Sequence, residues 1–153
     1  VIPPELLKGY TFFAGLNEAE LKSLSIIANE VSLRRGDFFF QESEQAHTMY
    51  LLLDGWVDIV IDIAAAGTRR ELVTTLTPGD IFGWSAVVQP HVYTASAICA
   101  SPVRAVGFGG SDLRTLFSVD HKLCYTITTR ICRVIAMRLC ATRLQMIDFF
   151  VTN

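Results

Sequence analysis

From Val31 to Phe108 the hydrophobic period of the chain is two, and turn residues cut the run into short segments; this rhythm limits the fold more than any other feature. Arg34-Arg35-Gly36-Asp37 reads as a turn, since glycine tolerates positive φ and aspartate bonds its own backbone, and Phe38, Phe39 and Phe40 lead into a strand. Met49, Leu51 and Leu53 alternate with Tyr50 and Leu52 as far as Asp54-Gly55, a strong hairpin signal. Beyond it Val57, Ile59 and Ile61 alternate with Trp56, Asp58, Val60 and Asp62, which predicts a hairpin with one apolar, buried face. Ala64, Ala65, Ala66 and Gly67 form a small-residue loop, and Glu71 to Thr77 gives the returning strand, ended by Pro78-Gly79-Asp80. Tyr93 to Ile98 and Val103 to Phe108 form a further strand pair across Ala100-Ser101-Pro102. The total is about eight short strands with turns roughly every 8 to 12 residues, which argues for a double-sheet antiparallel structure, a sandwich or jelly roll.

Helical patterns flank this region on both sides. Pro3 and Pro4 precede Glu5, Leu6 and Leu7, as when proline opens a short helix. Asn17, followed three residues later by Glu20, starts a second helix whose apolar face is Leu21, Leu24, Ile27 and Ala28 and whose end falls near Asn29. After Gly109-Gly110, Ser111 is a cap for a short helix through Phe117. Asp120 then caps a helical segment free of glycine and proline as far as Asn153, about 45 Å long if fully helical. Thr128, Cys132, Ile135, Leu139, Thr142, Met146 and Phe149 trace a heptad seam along it, and Ile127, Ile131, Val134 and Ala141 make a second strip. One strip then lies on the β-core while the other meets a partner helix; the alternative is that both wrap over the chain's own core.

The totals narrow the function. A chain of 153 residues is the size of one domain, so residues 1–153 are read as a single unit: N-terminal helices over 1–30, β-structure over 31–108 and C-terminal helices over 109–153. An apolar fraction of 51% without any apolar run of about 18 residues points to a partner surface, a second copy above all, and away from a membrane span. A net charge of −2 leaves no electrostatic footprint for nucleic acid. Cys99, Cys124, Cys132 and Cys140 show no paired spacing and read as buried thiols of a reducing cytoplasm. No secretory segment is visible, the start at Val1 implies a few preceding residues, and the expected location is cytoplasmic.

The stretch PGDIFGWSAVVQPHVYTASA, Pro78 to Ala97, breaks the strand rhythm with a glycine-bracketed turn, and this is where a β-structure opens to admit a ligand. With FFAGLNEAELKSL at Phe12 to Leu24, RRGDFFFQE at Arg34 to Glu42, MYLLLDGWVDI at Met49 to Ile59, TLTPGDIFG at Thr75 to Gly83 and FGGSDLRTLF at Phe108 to Phe117, the chain resembles the cyclic-nucleotide-binding domains of catabolite-activator-like bacterial regulators, kinase regulatory subunits and gated channels. The resemblance implies a mainly β fold with α, a jelly-roll or β-roll flanked by N-terminal helices and a long C-terminal dimerisation helix. It also implies a phosphate-binding cassette at 82–95. The family pattern is approximately F-G-E-[LIV]-[AG]-L followed by R-[AST]-A, and here Phe82, Gly83, Trp84, Ser85 and Ala86 fill the first part and Tyr93, Thr94 and Ala95 the second. The glutamate that binds a ribose hydroxyl and the arginine that pairs with the cyclic phosphate are replaced by Trp84 and Tyr93. Each such charge-assisted bond is worth about 1.5–3 kcal/mol. What remains for an anion is backbone N–H groups at the start of a short helix, with the hydroxyls of Ser85 and Thr94.

By the same resemblance, Ala136 to Arg143 matches the segment of the dimer helix in which a threonine and its successor reach the purine, which places Thr142 and Arg143 at the ligand. Arg143 departs from the small polar residue of the pattern; it either supplies the charge that Tyr93 lacks or sits solvated at the helix edge, the commoner place for a lone arginine. Bacterial regulators of this kind continue into a helix-turn-helix, so the end at Asn153 implies a removed output domain or a stand-alone sensor. The leading expectation is a homodimeric regulatory module in which a cyclic nucleotide, cyclic AMP or cyclic GMP, or another small anionic effector acts through the long helix. Two alternatives stand beside it: a ligand-free dimerisation scaffold with Trp84 and Tyr93 plugging the pocket, and a haem or redox sensor using His47, His91, His121 or the cysteines. No nucleophile elbow, HExxH or P-loop is present, no metal-ligand spacing appears, and no enzyme is expected.

Overall fold

The computed structural model describes residues 1–63 and 69–152, so the small-residue loop at 64–68 and Asn153 lie outside the described residues. Proline opens α1 (Pro4–Lys8) as expected. In α2 (Glu18–Ile27) the Asn17 side chain accepts from the Glu20 amide at 2.8 Å and the Glu20 carboxylate accepts from the Asn17 amide at 2.9 Å, a reciprocal cap that satisfies two otherwise orphaned donors. The helix stops at Ile27, short of Asn29, because Ala28 is already extended and pairs with Phe108.

The strands are β1 (Ala28–Leu33), β2 (Phe38–Phe40), β3 (Thr48–Asp54), β4 (Val57–Ile63), β5 (Arg69–Leu76), β6 (Ile81–Phe82), β7 (Ser96–Cys99) and β8 (Val103–Gly109). They form two antiparallel four-stranded sheets, ordered β1-β8-β3-β6 and β2-β7-β4-β5. This corrects the two hairpins read at Asp54-Gly55 and at Ala100-Ser101-Pro102. β3 and β4 belong to different sheets, as do β7 and β8, so each turn is a corner that carries the chain from one sheet to the other. The corners lock together: the Trp56 amide donates to Ser101 Oγ at 2.9 Å and the Ala100 amide to the Trp56 carbonyl at 2.9 Å. Gly55 has φ +87°, and a Cβ there would stand 2.2 Å from the Pro102 carbonyl, so glycine is required by the corner and not by a hairpin.

Buried side chains from both sheets and the flanking helices make one core, Leu51, Leu52, Phe82, Ala97, Ala105, Val106 and Phe108 among them, and each large one contributes about 1.5–3 kcal/mol by leaving water. The β4–β5 ladder slips between Ile59, opposite Thr74, and Val60, opposite Leu72. Val73 is therefore the extra residue of a bulge on β5; along β4 Val57, Ile59 and Val60 are all buried, so the face read as mixed is partly covered as well.

Helix α3 (Gly110–Val119) begins one residue before Ser111: Gly109 is its cap, no side chain completes it, and the Gly110 amide donates instead to the His47 carbonyl at 2.7 Å. Asp120 does cap α4 (His121–Thr152), accepting from the Leu123 amide at 2.9 Å. Over its first half α4 buries Leu123, Ile127 and Ile131 against the core, with Val134 and Ile135 partly packed. From Leu139 to Thr152 every described residue is exposed, Ala141 included. Both strips therefore do not wrap over the chain's own core. The cysteine reading also needs correction, because only Cys99 is buried, while Cys132 and Cys140 stand exposed on α4.

Candidate functional site

The break in strand rhythm is a tight loop between β6 and β7. Gly83, with φ +74°, turns the chain out of β6, and a Cβ there would lie 2.9 Å from the Thr48 carbonyl and 3.2 Å from the Phe40 ring. Trp84–Ala86 then makes one 3-10 turn, closed by the Ala86 amide on the Gly83 carbonyl at 3.2 Å and the Val87 amide on Trp84 at 2.9 Å. Its first two amides, those of Trp84 and Ser85, have no acceptor within the turn. The Ala86 carbonyl accepts from Arg114 Nη1 of α3 at 2.6 Å, and Gly110 packs so closely beneath Ala86 that a Cβ there would meet its carbonyl at 2.5 Å. The half-buried His91 sets Nδ1 3.0 Å from the Ser85 carbonyl, a structural contact that fixes the loop's return.

Beside this loop lies a cavity of about 230 Å³ lined by Phe82, Gly83, Trp84, Ser85, Tyr93, Thr94 and Ala95, with walls from β2, β4, β5 and α4. Seven of the cassette residues read from the sequence thus meet around one space, and Ala86 lies buried just beneath it. Thr142 and Arg143 do not join them within one chain: both are exposed on α4, and the Thr142 hydroxyl donates to the Arg138 carbonyl one turn back at 2.9 Å.

Tyr93 is a core residue. Its ring stacks on Phe40 with centroids 3.7 Å apart and planes 9° apart, within a cluster that includes Tyr50 and Phe82. Its hydroxyl donates to the Thr48 carbonyl at 2.7 Å and accepts from the Thr48 amide at 3.2 Å. Burial pushes the phenol from its ordinary value of 10.0 up to about 12, against the Thr48 bonds, which favour ionisation. The native state therefore keeps a proton that the unfolded chain gives up. Stability from this group is complete below pH 10 and declines as pH rises from 10 to about 12. Tyr93→Phe is expected to lose about 1–2 kcal/mol at neutral pH, from the orphaned Thr48 groups, and to decline less steeply over that alkaline window, measured by urea denaturation at each pH.

Trp84 behaves differently. It stays half-buried, and Arg138 of α4 lies over its ring, 4.6 Å from the centroid, with Nη2 donating to the Ile81 carbonyl at 3.0 Å. A contact of this kind is worth about 0.5–2 kcal/mol depending on desolvation. Burial lowers the Arg138 pKa while nearby Asp80 opposes the shift. Arg138 also lines the cavity, and it is the one charged residue among the described residues that do so. It lay inside the matched segment at 136–143, yet nothing in the heptad pattern singled it out; the available signal was its place one turn before Thr142 on the same face.

Residues 30–120 match the family model for the cyclic nucleotide-binding domain. The chain belongs to that family. Over 111 residues this cyclic nucleotide-binding domain is 30% identical to the CRP-like cAMP-activated global transcriptional regulator of Mycobacterium tuberculosis, a match covering 72% of the chain and 49% of the regulator, so it spans about half that relative's length. Among solved structures it is similar to a protein from Geobacter metallireducens assigned as cyclic nucleotide-binding, with 32% identity, coverage of 91% and 99% and a TM-score of 0.80. The catabolite activator protein of Thermus thermophilus, at 19% identity and a TM-score of 0.72 over 92% of this chain and 62% of its own, shares the fold. In this domain Gly83 turns the backbone into the 3-10 turn that Trp84 begins, and Tyr93 is buried where the loop returns. Among the described residues no group of three or more His, Cys, Asp or Glu side chains is placed to hold a metal, and no helix is long and apolar enough to cross a membrane.

Proposed function

We propose that the chain is an effector-sensing regulatory module, taking a small anion of the cyclic nucleotide class in the cavity beside Gly83 and reporting its occupancy through α4. One observation carries the reading: Arg138 is both a wall of the cavity and a residue of the long helix. A ligand touching it has different contacts in different positions of α4, which is the requirement for shifting a two-state element. The hydroxyls of Ser85 and Thr94 and the first two amides of the 3-10 turn complete a donor set suited to an anion.

The exposed half of α4 pairs with α4 of a second copy. Leu139, Met146 and Phe149 are 51%, 56% and 64% exposed, and they follow one another at heptad spacing. A seam of this kind is self-complementary about a two-fold axis, so a second copy of the same helix covers it without any other partner. Pairing would carry Thr142 and Arg143 toward the second copy's cavity, the place the family resemblance gives them.

Calorimetric titration with cyclic AMP and cyclic GMP tests the reading. Because both ionic anchors of the pattern are replaced, the expected Kd for at least one of them falls between about 10 µM and 1 mM. If neither binds at millimolar concentration while Trp84→Glu with Tyr93→Arg restores binding, the native cassette is not a cyclic nucleotide site. A ligand-free scaffold is the second reading, favoured by Tyr93 filling the core with its hydroxyl fully engaged.

A further inference from the structure

We propose that a second groove, on the far side of α4 from its heptad seam, receives an extended acidic segment of a partner protein, which adds to the sheet as a fifth strand along β5. The groove encloses about 780 Å³ between α4, the end of β5, the turn at 78–80 and the N-terminal segment at 11–14. Its α4 wall runs from Arg130 to Ala141, about 16 Å, which is the length of about five residues of extended chain. Met137 of that wall is two residues from both Ile135 and Leu139 of the seam, about 160° around the helix from each. Pairing of α4 with a second copy therefore leaves the groove open. Val134 and Ala141, the distal half of the second apolar strip, also line it.

Backbone and charge each point to the occupant. β5 is the last strand of its sheet and pairs only with β4, and among the described residues no other backbone hydrogen bond reaches 74–76. Such an edge is a template for a further strand. Its first half is guarded, by the charges of Arg69 and Arg70 and by the bulge at Val73, whereas residues 74–76, which line the groove, carry neither device. Arg130, Arg133 and Arg138 line the same groove against one carboxylate, Asp80, and among the described residues none of the three has an ion-pair partner. Arg130 donates to the carbonyls of Phe12 and Ala14 and Arg138 to that of Ile81, while Arg133 stands exposed without a hydrogen-bond partner among the described residues. A strand held by main-chain bonds to β5 thus meets apolar surface and excess positive charge, which favours carboxylates on it and repels lysines. Arg133, Met137 and Ala141 lie outside the cavity beside Gly83, so this proposal is tested apart from the effector reading.

The full chain is titrated into a fluorescein-labelled nonapeptide of alternating Glu and Val, followed by anisotropy. A Lys–Val peptide of the same pattern and a Glu–Val peptide N-methylated at every second amide are run beside it. The expected result is saturable binding of the Glu–Val peptide, with the other two weaker by about tenfold or more, one for its charge and the other for its lost main-chain donors. Arg133→Glu, a change at an exposed side chain, and Ala141→Trp, which fills the groove, should each weaken the Glu–Val peptide by about tenfold or more, with circular dichroism and melting unchanged. Absence of binding at submillimolar protein overturns the proposal. So does binding that both variants keep, or that the Lys–Val or the N-methylated peptide matches. If Arg133→Glu instead dissociates the protein's own dimer in sedimentation velocity, a second copy fills the groove and the partner segment is overturned.

Discussion

Leu139→Glu combined with Met146→Glu is expected to convert the proposed α4-paired dimer into a folded monomer, weakening self-association by more than a thousandfold. Both side chains are more than half exposed in the single chain, so the substitutions remove little from the monomer's own core. In a paired seam they occupy inward heptad positions, and each carboxylate there is buried without a partner in both copies. An unpaired buried charge costs about 3–5 kcal/mol, and two per chain exceed the roughly 4 kcal/mol that a thousandfold change represents. Leu144→Glu is the control. Leu144 is 59% exposed and equally apolar, but it falls on the outer face of the same heptads and should leave the dimer intact. Sedimentation velocity over a concentration series distinguishes the two outcomes; dissociation by all three substitutions alike would mean that a face other than the seam makes the contact.

Tyr93→Arg alone is expected to destabilise the ligand-free protein by about 3–5 kcal/mol, a large part of the roughly 5–15 kcal/mol available to a domain. The substitution removes the stack on Phe40 at 3.7 Å, leaves both Thr48 backbone groups without their partner and puts an unpaired cation in a position only 5% exposed. A phosphate-bearing ligand supplies the missing partner. Part of the loss should therefore return in millimolar cyclic AMP, measured as an upward shift of the urea midpoint that the native chain shows to a smaller degree. A variant as stable as the native chain would mean that the position 93 side chain swings out of the core, and that the aromatic cluster is not what holds the cassette in place.

The strand rhythm and the two helical flanks were legible because period and caps are local properties: Asn17 with Glu20, Asp120 and the glycines at the turns all act over a few residues. Sheet membership was not legible. Asp54-Gly55 has the composition of a hairpin turn, and only the packing of Gly55 against the Pro102 carbonyl shows that it is a corner between sheets. The cassette was legible as a segment, since its seven lining residues are nearly contiguous. The roles of its two aromatics were not. Tyr93 became a core side chain because Phe40 and Thr48, more than forty residues away in the chain, offer a ring and a peptide group to it. Trp84 became a platform because Arg138 reaches it from α4. A contact between residue 84 and residue 138 has no trace in local pattern, and so the sequence reading weighed Arg143, with a solvated place at the helix edge ahead of a charge role, and did not single out Arg138.

Hydrogen–deuterium exchange of the full chain, with and without millimolar cyclic AMP, tests most directly whether occupancy of the cavity is reported through α4. The expected result is slowed exchange in the loop at 83–95 together with a change along 134–142 of α4, both lost in Arg138→Gln. Ligand binding by calorimetry with exchange altered in the loop alone, and α4 unchanged, would contradict it.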